Sequence, residues 1–268
     1  DLHLSLRRQR QMCIRDRVIN MDMDKEKGFT LIELLVVISI IAILMAILLP
    51  VLGRARDQAK LNACLANLKN LSTAWFLYTL DNDGLLVGSD TEGEPPLGTP
   101  YDWVYRPTSR GDLIKNKKEG IKKGKLFPYV KSIDVYHCPA DRRIKNPPGY
   151  NAFRSYSIPT SYNSTLYKDE VKVVKKYNQI RAPTSKYVFV EEPDPRGWNV
   201  GPWGEPFSME EWWDPVAVWH YKKGTLGFAD GHAEPHKWVD KRTIELGQMA
   251  ERNTEWSELV AKMKQPDN

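Results

Sequence analysis

The sequence predicts an α+β chain, a long N-terminal α-helix packed on a small antiparallel β-sheet head, with a transmembrane half and an amphipathic half to the helix. Three observations predict it. An almost unbroken apolar run extends from Leu31 to Leu52, a helical period continues from it to Tyr78, and later segments alternate polar with aromatic or β-branched residues around turn signals. The bulk properties agree. At 268 residues there is room for one sizeable domain and an extension. The net charge of +5 comes from 39 basic and 34 acidic residues spread along the chain, so no nucleic-acid partner is expected. A mean hydropathy of -0.51 describes a soluble body carrying one greasy segment.

Taken in order, the first twenty residues, DLHLSLRRQRQMCIRDRVIN, precede Met21 and have neither helical nor strand period. They are read as a non-native prefix and excluded from fold reasoning. A short charged stretch, MDMDKEKG, covers residues 21–28. Between Leu34 and Leu49 every residue but Ser39 is apolar, and twelve are Leu, Ile or Val. At ~0.3 to 0.6 kcal/mol each, these contribute about 5 kcal/mol in favour of insertion, which outweighs one carboxylate, Glu33, near the edge. The span of roughly 20 residues is long enough to cross a bilayer. It lacks the short core and small-residue cleavage site of a secretory signal. It runs through Pro50 into a second stretch with Ala55, Ala59, Leu61, Leu65, Leu68, Leu71, Trp75 and Tyr78 at mostly three- and four-residue steps. DNDG, Asp81 to Gly84, ends it. The whole predicts a helix of roughly 75 Å that Pro50 would kink or locally melt.

KGFTLIELLVVISIIAILMAILLP, with its charged leader, its Gly-Phe junction and a glutamate five residues beyond that junction, resembles the N-terminus of a type IV prepilin or a type II secretion pseudopilin. The resemblance implies that a membrane-embedded prepilin peptidase cuts between Gly28 and Phe29 on the cytoplasmic face and methylates the new amine of Phe29. It also implies a role for Glu33 in assembly, pairing with the Phe29 amine of a neighbouring subunit. Two unit charges ~4 Å apart attract by about 4 kcal/mol at an effective dielectric of 20, before desolvation is subtracted. The chain then divides into a prefix (1–20), a leader (21–28), a transmembrane or filament-core helix (29–52), an amphipathic helix (53–83), an α+β head (84–240) and a helical tail (241–268).

Within the head, residues 85–100 are a Gly-, Pro- and acid-rich loop, and IKNKKEGIKKGKLFPYV is expected to be a solvated basic loop. DVYHC, SYSIPTSYNSTL and KYVFVEE have the alternation of half-buried strands, and a turn is expected at Pro139 to Asp141. TLGFA and HAEPHKW flank Asp230-Gly231, a two-residue hairpin signal in which both central positions favour positive φ. His220, nine intervening residues and then Asp230-Gly231 resemble the His-nine-Asp-Gly signature of a large bacterial family of prepilin-like proteins. CLANLKNLSTAWFLYTLDNDG, YHCPAD and GFADGHAE are similar to its recurring blocks. The insert EEPDPRGWNVGPWGEPFSMEEWWDP departs from that pattern.

The candidate chemistry is sparse. His220 and Asp230 are possible ligands for zinc or another divalent ion, but the favoured reading is structural, with Asp230 making the turn and His220 hydrogen-bonding to it. His232 and His236, four apart on a strand, would be ~13 Å apart and could not share an ion. Asp81, Asn82 and Asp83 lack the spacing of a calcium loop and read as a helix cap. No cofactor is expected; the resemblance to pseudopilins leaves open a calcium site using Asp230 or the acidic insert. Cys64 and Cys138 are a candidate disulfide on the oxidising side of the membrane; Cys13 falls in the prefix. No nucleophile or phosphate-loop motif stands out. Trp198, Trp203, Trp212, Trp213 and Trp219 are expected to close a small core rather than to form a recognition surface. Trp256, Leu259, Val260 and Met263 share one helical face of the tail. The expectation is a filament subunit anchored in the bacterial inner membrane with its head outside the cytoplasm. It is not an enzyme, and its partners are the prepilin peptidase and other pilin or pseudopilin subunits. The alternative is a membrane-anchored cell-surface module that binds glycan or protein; a metal-dependent hydrolase ranks third.

Overall fold

The structure, a computed structural model, describes residues 29–91, 100–106, 114–143, 153–165, 172–194, 201–204 and 213–251. The expectations for the prefix and leader, Gly28 included, for Trp198 and Trp212, and for the tail face at Trp256 to Met263 lie outside the described residues. The chain falls into two compact units, Asp1–Val51 and Leu52–Asn268.

In the first unit, helix α1 (Leu31–Asp81) begins directly after Thr30. Thr30 and Glu33 form a reciprocal cap: the Glu33 amide donates to Thr30 Oγ1 (3.2 Å), and the Thr30 amide donates to Glu33 Oε2 (2.8 Å). Two of the helix's orphan donors are thereby satisfied. From Leu31 to Leu52 every residue is exposed. Pro50 lies inside the helix without interrupting it, so the expected local melting does not occur. A proline forfeits one backbone hydrogen bond, and the turns on either side retain theirs.

In the second unit α1 buries Leu61, Cys64, Leu68, Leu71, Trp75 and Tyr78, in steps of three and four residues. Ala55 and Ala59, expected on the same stripe, are exposed, and Leu65 is half-buried. Among the described residues, the buried positions of α1 begin at Leu61. Asp83 (φ 51°) and Gly84 (φ 75°) turn the chain away, and the Gly84 amide returns to the Thr79 carbonyl at 2.8 Å. Asn82 Nδ2 donates to the Tyr78 carbonyl, so the DNDG segment acts as a helix cap.

The sheet is antiparallel throughout, with strand order β1 (Tyr156–Ser157), β2 (Tyr187–Glu191), β3 (Lys223–Phe228) and β4 (Ala233–Lys237). Its two faces are distinguished on β3. Gly227 faces α1, where an added Cβ would collide with Ser72 Oγ and lie 3.5 Å from Leu68. Leu226 and Phe228 join Val190, Trp203 and Val216 in a second, smaller core. The larger core fills the space beneath α1 with Leu68, Leu71, Trp75, Trp103, Tyr136, Tyr156 and Phe189. Trp75 stands edge-on to Tyr162 at 6.0 Å, and Trp103 stacks on Tyr136 at 6.0 Å.

Four local expectations are corrected. The basic run is not a loop: it forms α2 (Ile114–Lys123) and a short α3 (Phe127–Val130). Gly120 and Gly124 lie so close to the carbonyls of Tyr105 and Trp103 that a Cβ would clash, which explains glycines amid lysines. DVYHC is not a strand: Asp134–Tyr136 is a 3-10 turn. Tyr136 and Cys138 are both buried and two residues apart, so a turn here mimics the strand period. Of the described residues of SYSIPTSYNSTL only Tyr156–Ser157 is strand; beyond it the chain makes isolated bridges, Pro159 to Trp203 and Tyr162 to Val174. The Asp230-Gly231 hairpin has a three-residue loop, Ala229 to Gly231, closed by Phe228 and His232, and only Gly231 has positive φ. The expected turn at Pro139 to Asp141 is present, its Asp141 amide returning to the Cys138 carbonyl at 2.9 Å. Helix α4 (Lys241–Glu251) packs Gly247 against Val216 and Val218.

Candidate functional site

Among the described residues, two places bear on the expected site residues. At the chain's first described residues, Phe29 is 68% exposed, and the Glu33 carboxylate lies one helical turn beyond it. Both Thr30 bonds, from its amide and its hydroxyl (2.7 Å), go to Glu33 Oε2. The acid therefore completes the helix cap through one oxygen, and among the described residues its other oxygen accepts no hydrogen bond. Behind it residues 34–52 are all exposed. Among the described residues, α1 is the one helix long and apolar enough to cross a membrane.

The second place is buried in the head. Cys64 of α1 and Cys138 form a disulfide, Cα atoms 5.3 Å apart across 74 residues of sequence. Cys64 lies on the buried face of its helix. Beside the disulfide stands His220, whose Nε2 is 3.4 Å from Cys138 Sγ and 3.3 Å from Glu191 Oε1. Glu191, at the end of β2, accepts from the Thr225 amide through its other oxygen at 2.9 Å. The described His, Cys, Asp and Glu atoms close enough to share an ion are those of Cys64, Cys138, Glu191 and His220, all within 4.8 Å of one another and all buried.

The expected His220–Asp230 hydrogen bond is not made. Asp230 Oδ1 binds its own neighbour His232, at 2.5 Å to the ring and 3.2 Å to the amide. His220 is turned inward by a tight hairpin, its amide and carbonyl exchanging hydrogen bonds with those of Lys223. The two central residues, Tyr221 (φ 53°) and Lys222 (φ 61°), both lie in the left-handed region. That geometry favours Gly or Asn and costs on the order of 1 kcal/mol or more per residue for other side chains. Tyr221 reaches outward, its hydroxyl donating to Asp57 of α1 at 2.7 Å. Asp230 is not part of the buried group, in which His220 instead meets Cys64, Cys138 and Glu191. Sequence reasoning misses Glu191 because YVFVEE reads as an ordinary strand; a pair of acids ending an apolar run is the available signal.

A polar network lies nearby. Asp141 is buried against Arg143, with Nη2 to Oδ2 at 2.6 Å, and accepts from Ser155. Burial pushes the Asp141 carboxyl up, but the Arg143 guanidinium and hydrogen bonds outweigh it and hold it below the usual carboxylate range. Glu192 goes the other way: burial, and then the charges of Asp214 and Asp194, push it up to about 8, while it holds a short hydrogen bond from Ser157. Trp203 of the insert is buried in the second core, whereas Trp213 is 39% exposed. Trp219 packs partly buried against the main core, with the Arg143 guanidinium over its ring.

Against known proteins, residues 23–49 match the prokaryotic N-terminal methylation motif. Type II secretion system core protein G of Pseudomonas aeruginosa is 39% identical over 79 residues, 28% of this chain and 56% of that protein. The type IV wide pilus major component PilA4 of Thermus thermophilus is 48% identical over 61 residues, 23% of this chain and 47% of that protein. Prepilin peptidase-dependent protein D of Escherichia coli is 48% identical over 93 residues, 35% and 61% of the two chains. The chain thus spans about half the length of the curated relatives it matches. No solved structure matches it. The chain carries the N-terminal methylation motif on a long apolar helix and is similar, over that segment, to pilus and type II secretion proteins.

Proposed function

We propose that this chain is a structural subunit of a type IV pilus or type II secretion pseudopilus, cut by a prepilin peptidase between Gly28 and Phe29 and assembled through the first half of α1. The observation that carries the reading is the exposure of every residue from Leu31 to Leu52. So long an apolar surface has a low free energy only in lipid or against other apolar helices. In the inner membrane lipid covers it, with the head outside the cytoplasm. In a filament, neighbouring copies or related subunits replace the lipid. The hydrolysed Gly28–Phe29 bond leaves a positive amine on Phe29, which is then methylated. The Glu33 carboxylate of an incoming subunit pairs with that amine. On this reading the protein is the substrate of an enzyme rather than an enzyme itself.

The test is intact mass and N-terminal sequencing of membrane-extracted protein, with and without its prepilin peptidase, alongside a sheared-surface fraction. The expected chain begins at methylated Phe29 and is recovered in sheared filaments. Glu33→Ala is expected to be cleaved yet depleted from that fraction. A chain that keeps its leader, or is cut but never leaves the membrane as polymer, overturns the reading in favour of an anchored binding module.

A further inference from the structure

We infer that the buried group of Cys64, Cys138, Glu191 and His220 is a redox-exclusive zinc site: a disulfide when oxidised, and a tetrahedral centre of two thiolates, one imidazole and one carboxylate when the two cysteines are reduced. This inference does not rest on the filament reading. The donor set is one that zinc takes, two sulfurs, a ring nitrogen and a carboxylate oxygen. Its spacing also fits. At Zn–N and Zn–O bonds of about 2.0 to 2.1 Å, a tetrahedron places N and O roughly 3.3 to 3.4 Å apart, and with Zn–S of about 2.3 Å it places N and S roughly 3.5 Å apart. His220 Nε2 lies 3.3 Å from Glu191 Oε1 and 3.4 Å from Cys138 Sγ.

The surroundings hold the ligands in place. The Thr225 amide binds Glu191 Oε2, the oxygen that His220 does not touch, and the Ala140 amide donates to Cys138 Sγ at 3.4 Å. These are the outer contacts that orient metal ligands. The hairpin that aims His220 inward holds two non-glycine residues at positive φ, a cost the fold bears at this position. Backbone strain alone would not also bring a carboxylate and two sulfurs to the same imidazole.

The two states exclude each other because zinc needs thiolates, and a disulfide offers none. Reduction by a dithiol transfers two electrons and two protons to the Cys64–Cys138 bond, and the dithiol leaves as its own disulfide. The zinc ion then displaces the two thiol protons. In reverse, a small disulfide oxidant accepts the two electrons from the two thiolates, takes two protons from water to become two thiols, and the new Cys64–Cys138 bond expels the ion. Both states tie α1 to the head at the same point, so a chain made in a reducing compartment has a cross-link before its disulfide can form.

The test uses the full chain in detergent, refolded with dithiothreitol and zinc chloride, and in parallel refolded with glutathione disulfide and zinc chloride. After desalting, bound zinc and free thiols are measured together; cobalt(II) replaces zinc in a second series to report thiolate ligation through its charge-transfer absorption. The expected result is one zinc per chain and thiolate–cobalt bands in the reduced protein, and neither in the oxidised one. His220→Ala should weaken zinc by more than the roughly 10- to 100-fold that loss of an outer contact costs, and Glu191→Gln should weaken it in the same direction. Circular dichroism confirms that each variant folds. The wild-type comparison stands even if a variant does not. Reduced, folded protein without zinc overturns the proposal, as does zinc held equally by the oxidised protein.

Discussion

Residues 34–49 and 61–78 are stretches of the same helix, both rich in large apolar side chains, and they have opposite fates. The first is exposed along its whole length; the second buries Leu61, Cys64, Leu68, Leu71, Trp75 and Tyr78. Composition alone would have made the first stretch the core. The difference is periodic: the second stretch interleaves Asn62, Asn67, Lys69 and Asn70 with its apolar stripe and so presents one face to the head, whereas the first is apolar all round. A helix apolar on every side needs a partner on every side, and a single head covers only one. The free surface is therefore what an assembly or a membrane must cover.

The largest test of that contrast is a pair of truncations. Trp75→Ala should cost about 3 to 5 kcal/mol of head stability, because Trp75 is fully buried in the main core beside Tyr162 and Tyr177. Ile43→Ala, at a position 62% exposed, should stay within about 0.5 kcal/mol. Denaturant unfolding in detergent reads both. Equal losses would mean that the first stretch also packs on its own chain.

The second test is pH, which should act on the head alone. Glu192 has an ordinary value of 4.5 and is pushed up to about 8 by burial and by Asp214 and Asp194. Between those values the unfolded chain has lost a proton that the folded chain keeps, so its contribution is fully present below about pH 4.5 and is lost as pH rises toward 8. The slope is on the order of 1 kcal/mol per pH unit within that window. Glu192→Gln should flatten it and leave the head more stable than wild type at the upper end of the window. Thermal melts across and beyond that window check this, and an unchanged slope in the variant would assign it elsewhere.

A smaller effect sharpens where helix meets sheet. Gly227→Ala should cost about 1 to 3 kcal/mol by overpacking against Ser72. Ser72 Oγ is buried without a hydrogen-bond partner among the described residues, so Ser72→Ala in the same chain should recover most of the loss. A double-mutant cycle by urea melts measures the coupling. Additive losses would place the cost of Gly227→Ala in the strand itself.

Features whose physics is local are legible in the residues alone. The all-round apolar run, the stripe from Leu61 to Tyr78, the DNDG stop and the KYVFVEE strand each follow from residues within a turn or two of one another. The resemblance at Gly28, Phe29 and Glu33 is of the same kind, being carried by contiguous residues. Packing decides whatever depends on a distant partner. The glycines of the basic run have the composition of a loop, and only the carbonyls of Tyr105 and Trp103 passing against them account for Gly120 within α2 and Gly124 just beyond it. The partner of His220 cannot be read from its spacing to Asp230, because the turn at Tyr221-Lys222 carries no Gly or Asn to announce it and directs the ring toward Cys138 and Glu191. Local preferences act over a few residues; the contacts that build the buried cluster close loops of 29 to 82 residues, and only the packed fold supplies the free energy that closes them.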